Sequence, residues 1–92
     1  MPDEPPQYAS LFGERVVVDL RGPFVCVGRL AERQQDFLLL ADADMHDLRD
    51  TTTTRDQYLL KSCEGMPPNR RWVWLPLSEV VGLSRLADVI IA

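Results

Sequence analysis

The sequence predicts a small, strongly bent all-β barrel formed by a single domain. Three observations carry that reading. Short apolar stretches of strand length recur along the chain, separated by turn signals roughly every 8–12 residues. Gly28 lies inside one of these stretches, where a glycine marks a sharp bend or a close backbone approach. The chain has 92 residues, enough for one domain and no more.

The elements follow in order. Residues 1–7 (MPDEPPQ) are acidic and proline-rich and are expected to form a disordered tail, leaving 8–92 as the domain. YASLFGE (8–14) can make a short helix with Gly13 as its stop. VVVDL (16–20) reads as a first strand, with Val16, Val18 and Leu20 on one face. RGP (21–23) is turn chemistry, and FVCVGRL (24–30) is a second strand. ERQQ (32–35) turns the chain, and DFLLLADA (36–43) is a third strand. An enlarged loop follows, with MHDLRD (45–50) as one helical turn capped by Asp44. A strand is expected at 57–63, then a turn-rich connection, EGMPPNR (64–70). RWVWLPL (71–77) and SEVVGLS (78–84) are strands, and RLADVIIA (85–92) closes the chain as a strand or short helix.

The first half resembles the paired strands of Sm-like proteins (Sm, LSm and Hfq). VVVDLRGPFVCVGRL is similar to their first strand pair, with Gly28 followed two residues later by the aliphatic Leu30. FLLLADA is similar to their third strand, and WVWLPLSEVVGLS to the short second segment. The resemblance implies a five-stranded Sm-like (SH3-like) barrel over about residues 8–84, with a short N-terminal helix and an enlarged loop after the third strand. It also implies a homo-oligomeric ring, with Trp72, Trp74, Leu75, Val80, Val81 and Leu83 at the seam. The family's uridine pocket does not carry over by residue type. Its Asp-Asn turn falls on Gln34 to Phe37, with Asp36 near the Asp position, and its Arg-Gly pair falls on Pro76 and Leu77. The end of the chain, VWLPLSEVVGLSRLADVIIA, is also similar to PRC-barrel domains, small protein-interaction modules.

The densest group of chemical side chains is ADADMHDLRDTTTTRD (41–56), which holds the sole histidine of the sequence. Asp42, Asp44 and His46 open like a calcium loop, but the sixth position is Asp47 instead of Gly and the twelfth is Thr53 instead of Glu. The segment is therefore read as a turn-rich, acidic rim, with no metal or other cofactor expected. No cysteine or serine is placed beside His46 by any motif, so no catalytic residues are expected and the chain is read as non-enzymatic. Cys26 and Cys63, far apart and outside any CxxC, are expected to be small buried hydrophobes.

Net charge is −4, which argues against a general polyanion binder. Arg70, Arg71 and Trp72 nevertheless combine phosphate-binding and base-stacking side chains, and with Asp36 and Phe37 they form the candidate nucleic-acid surface. The expected partners are further copies of the chain, single-stranded RNA, and a basic protein at the acidic rim. No stretch approaches the ~18 apolar residues of a membrane span, and the N-terminus lacks secretory-signal character, so a cytoplasmic location is expected.

Overall fold

The computed structural model describes residues 4–50 and 52–91; Met1 to Asp3, Thr51 and Ala92, which the tail, loop and closing-element expectations include, lie outside them. Five antiparallel strands form one sheet: β1 (Arg15–Leu20), β2 (Phe24–Gln34), β3 (Phe37–Asp47), β4 (Arg70–Pro76) and β5 (Val80–Arg85). One helix, α1 (Arg55–Cys63), lies between β3 and β4. Short 3₁₀ turns cover Tyr8–Leu11, Leu77–Glu79 and Leu86–Asp88.

The strand order is β4-β3-β2-β1-β5, so consecutive strands β4 and β5 sit at opposite edges. On a flat sheet these edges would be ~19 Å apart, from four inter-strand steps. The three-residue turn Leu77–Glu79 that joins them spans only about 6 Å. The sheet must therefore curl, which makes it a small open barrel. Three hydrogen bonds pin the joining turn: Leu77 N donates to Asp36 O (2.7 Å), Arg21 N to Glu79 O (2.8 Å), and Arg21 Nε to Ser78 O (2.8 Å).

Curling requires the two long strands to bend, and their sequences provide for it. Gly28 lies opposite Ala43 so closely that a Cβ there would stand 2.8 Å from the Ala43 Cβ. This is the close approach that a mid-strand glycine implies. Opposite it, β3 carries a bulge: Val27 pairs with Asp44 but Arg29 with Ala41. Asp42 supplies the extra residue, with φ at +48°, a region that aspartate tolerates better than most side chains. The bulge exchanges faces along β3. Leu38 and Leu40 before it, and Ala43 and Met45 after it, all point to the inner side.

That inner side holds the main core, built from Val16, Val18, Cys26, Leu30, Leu38, Leu40, Ala43 and Leu75, with Leu11 of the N-terminal turn closing it. The outer side holds a second core in which α1 lays Tyr58 and Leu59 on Val17, Val25 and Val27. Two expectations are corrected here. Residues 57–63 form a helix instead of a strand, because Thr54 and Gln57 make a capping box and Tyr58, Leu59 and Ser62 are buried at helical spacing. The helical turn at 45–50 is replaced through Asp47 by strand, because β2 extends back to Phe24 and offers ladder partners as far as Asp47. At the chain ends, the predicted helix over 8–14 is confined to the 3₁₀ turn Tyr8–Leu11, and among the described residues 86–91 the 3₁₀ turn Leu86–Asp88 is the one element beyond β5.

Candidate functional site

The outer edges of β4 and β5 have no ladder partner among the described residues. Neither strand carries the lysines or mid-strand proline that usually guard a free edge. Along β4, Val73 and Leu75 face the inner core, so the alternation turns Trp72 and Trp74 to the outer side. They are 54% and 46% exposed, so neither tryptophan fills the core of the chain. Of the other seam candidates, Val81 is 63% exposed, Val80 and Leu83 are half-buried, and Leu75 is spent on the inner core.

The predicted nucleic-acid residues do not meet. Phe37 pairs with Pro76 at one end of β4, and Arg70 pairs with Ala43 at the other. Six residues of strand separate those ends by about 20 Å. Asp36 and Phe37 thus belong to one locality, and Arg70, Arg71 and Trp72 to another. At the first, Phe37 meets Trp74 edge-to-face, with centroids 6.3 Å apart, and Gln34 lines the same shallow pocket. Both rings are half exposed, so they present a stacking surface beside the Leu77–Glu79 turn. Reading the sequence missed Trp74 as Phe37's partner, because only strand register reveals that pairing.

The acidic segment resolves into separate local contacts. Asp47 accepts from Arg49 through two side-chain nitrogens and its backbone amide, which holds its carboxyl below the usual carboxylate range. Arg49 in turn lies 5.6 Å from the Phe24 ring centre. The Tyr58 hydroxyl donates to the Asp44 carboxylate, and burial followed by that carboxylate's influence raises its pKa. His46 stacks flat on Tyr58, with centroids 4.2 Å apart, and its Nε2 is buried without a hydrogen-bond partner among the described residues. Asp19 on β1 takes Arg55 at 2.6 Å. The contacts of Tyr58 and Arg55 fasten α1 to the sheet. No group of three metal-ligating side chains gathers among the described residues.

The cysteines part company. Cys26 is buried in the inner core, and burial, with the Asp44 charge adding, pushes its thiol up to about 12. Cys63, expected to be buried, is exposed at the end of α1, because the buried helix face is spent on Tyr58, Leu59 and Ser62.

No helix among the described residues is long and apolar enough to cross a membrane. The sequence matches no protein-family model. It likewise matches no curated protein. Among solved structures, the chain is similar to an Sm protein of Pyrococcus abyssii in complex with a uridine heptamer. The TM-score is 0.59 at 18% identity, over 84% of this chain and 89% of that one. Strand order, the bent glycine strand and this superposition agree: the chain has the Sm-like barrel fold.

Proposed function

We propose that this chain is a non-catalytic Sm-like module of the cytoplasm that assembles head to tail into a ring and binds single-stranded RNA. The observation that carries the assembly is the pair of unguarded edges at the two ends of one curled sheet. A β4 edge can extend its ladder with the β5 edge of the next copy, and a contact of two different surfaces that closes makes a ring. The backbone edge at Trp72 and Trp74 would be covered along that seam, their half-exposed rings staying on the outer face, with the exposed Val81 and the half-buried Val80 and Leu83 across it. The uridine heptamer on the similar Sm protein supports RNA as the ligand. So does the half-exposed Phe37–Trp74 pair at the β2–β3 turn.

Light scattering and native mass spectrometry at micromolar concentration test the ring; a monomer refutes it. Fluorescence anisotropy with oligo-U and oligo-A at low salt tests the RNA reading, which falls if neither probe binds. A second reading, a barrel that binds protein only, is favoured by the net charge of −4. Its surface would be the acidic rim, where Asp42 and Asp50 remain exposed, and a basic protein would be its partner. Pull-down with a basic peptide that Asp42→Asn plus Asp50→Asn abolishes, in a chain that ignores RNA, would decide for that reading.

A further inference from the structure

We propose a binding subsite for single-stranded polynucleotide on the outer face of the sheet, made by Arg15, Arg29 and Trp72. It rests on the nucleic-acid reading above and moves the ligand away from the Phe37–Trp74 pocket. The register places the residues in one row. Arg15 is opposite Arg29, Arg29 opposite Ala41, and Ala41 opposite Trp72. Directly opposed residues in an antiparallel ladder point to the same side. Val17, two residues beyond Arg15, lies in the outer core, which fixes that side as the outer one. At one inter-strand step each, Arg29 stands about 10 Å from Trp72 and Arg15 about 14 Å.

The arginine pair is the feature that asks for a ligand. Like charges set directly opposite each other on a ladder oppose pairing. The chain carries 14 carboxylates, ample to neutralise both, and elsewhere Asp47, Asp19 and Asp88 each hold one arginine. Arg15 and Arg29 are exposed, and neither side chain makes a hydrogen bond or ion pair among the described residues. Glu14 lines the groove beside Arg15 without forming an ion pair with it. A phosphate between the two guanidiniums would turn their repulsion into attraction, and guanidinium suits it geometrically.

The rest of the row selects the kind of anion. Ala41, small and buried, lies between the arginines and the exposed indole of Trp72. An indole in that position stacks a base while the arginines hold the backbone, an arrangement indifferent to base identity. Trp74 and Phe37 continue the aromatic stripe along the same face, so a following base has a platform too. An acidic peptide would satisfy the arginines but leave the tryptophan without a flat partner. Helix α1 covers the neighbouring row of Val17 and Val27 and ends at Cys63, which borders the groove at Arg15, and Arg15, Arg29 and Trp72 all remain exposed.

The test is anisotropy of oligo-U, oligo-A and a DNA of equal length, between 50 and 200 mM salt, on the wild-type chain and three variants. Arg15→Gln plus Arg29→Gln should weaken all probes about tenfold or more and reduce the salt slope by about 1.4, the value for two single-strand phosphate contacts. Trp72→Ala should weaken binding at least about fivefold with little change in salt slope, and Trp72→Phe should restore most of it. The arginine variant should melt at or above the wild-type temperature, since it removes a repulsion, and light scattering should show its assembly unchanged. RNA and DNA binding equally marks backbone-and-stacking recognition; a preference for RNA adds a sugar contact and leaves the subsite standing. If Phe37→Ala plus Trp74→Ala abolishes binding while the arginine variant binds like wild type, the subsite is wrong and the turn pocket is right. If a polyglutamate peptide binds more tightly than every oligonucleotide, the face is a peptide surface and the proposal is overturned. If the wild-type chain binds no oligonucleotide, the nucleic-acid reading itself falls.

Discussion

Gly28→Ala should unfold the barrel well below the wild-type temperature. The added Cβ would stand 2.8 Å from Ala43 Cβ, 3.0 Å from Ala43 Cα and 3.2 Å from Ala41 O. Carbon atoms rest at about 3.5–4.0 Å, so β2 and β3 would have to separate by roughly 0.7 Å. Two of the three atoms struck are backbone, and no side-chain rotation relieves them. The ladder contacts Val27 to Asp44 and Arg29 to Ala41 hold the strands on both sides of the clash. Overpacking of this kind costs ~1–3 kcal/mol, and the rigid neighbours place it near the upper end. Reduced freedom of the unfolded chain returns about 0.5–1 kcal/mol. The net loss is about 2 kcal/mol, which for a domain of this size lowers the melting temperature by roughly 8–16 °C. Thermal unfolding followed by circular dichroism measures it. Ala43→Gly in the same chain should recover part of the loss, because it removes the shortest contact. A Gly28→Ala chain that melts within about 2 °C of wild type would refute the close-approach argument.

Other outcomes follow from the same geometry. Tyr58→Phe removes the hydroxyl that donates to Asp44 and should cost about 1–3 kcal/mol, seen as a lower melting temperature and faster amide exchange in α1. Thr54→Ala removes the acceptor of the Gln57 amide at 3.2 Å and should destabilise α1 by about 1 kcal/mol, with exchange at Gln57 and Tyr58 most affected. Folding raises the Cys26 pKa from 9.0 to about 12, so the folded state holds that proton more tightly than the unfolded one. Stability should therefore be unchanged by this thiol below pH 9 and decline as pH rises from there toward 12; Cys26→Ala should flatten that decline in urea titrations. In native alkylation, Cys63 should react and Cys26 should not until the chain unfolds.

The strands that the sequence announces are those whose alternation is set locally. Val16 and Val18 against Val17 and Asp19, and Val73 and Leu75 against Trp72 and Trp74, are readable without a structure. Tyr58, Leu59 and Leu60 are equally apolar in a strand or a helix, and that ambiguity hid α1. The deciding signal was present one step upstream, in the Thr54 and Gln57 spacing of a capping box. The segment 44–47 went the other way: its aspartates favour caps and turns, but an available partner strand outweighed that preference. The candidate sites were least legible. Exposure of Trp72 and Trp74 depends on which face the barrel buries, and the opposition of Arg15 to Arg29 depends on register. Both are products of long-range pairing, which residue spacing within one segment does not encode.

The bulge at Asp42 works on β3 as a single added letter works on a reading frame. Before it, even-numbered side chains enter the apolar interior; after it, odd-numbered ones do. Excising Asp42 alone would leave Ala43 and Met45 inward and Asp44 and His46 outward, because Ala41 and Ala43 would then alternate as ordinary neighbours; what it would remove is the extra residue that bends β3 opposite Gly28. Asp42 tolerates replacements that accept its backbone angle, glycine and asparagine first among them. What this position contributes is the bend of β3, and its removal should lower stability more than a one-residue deletion within 48–50.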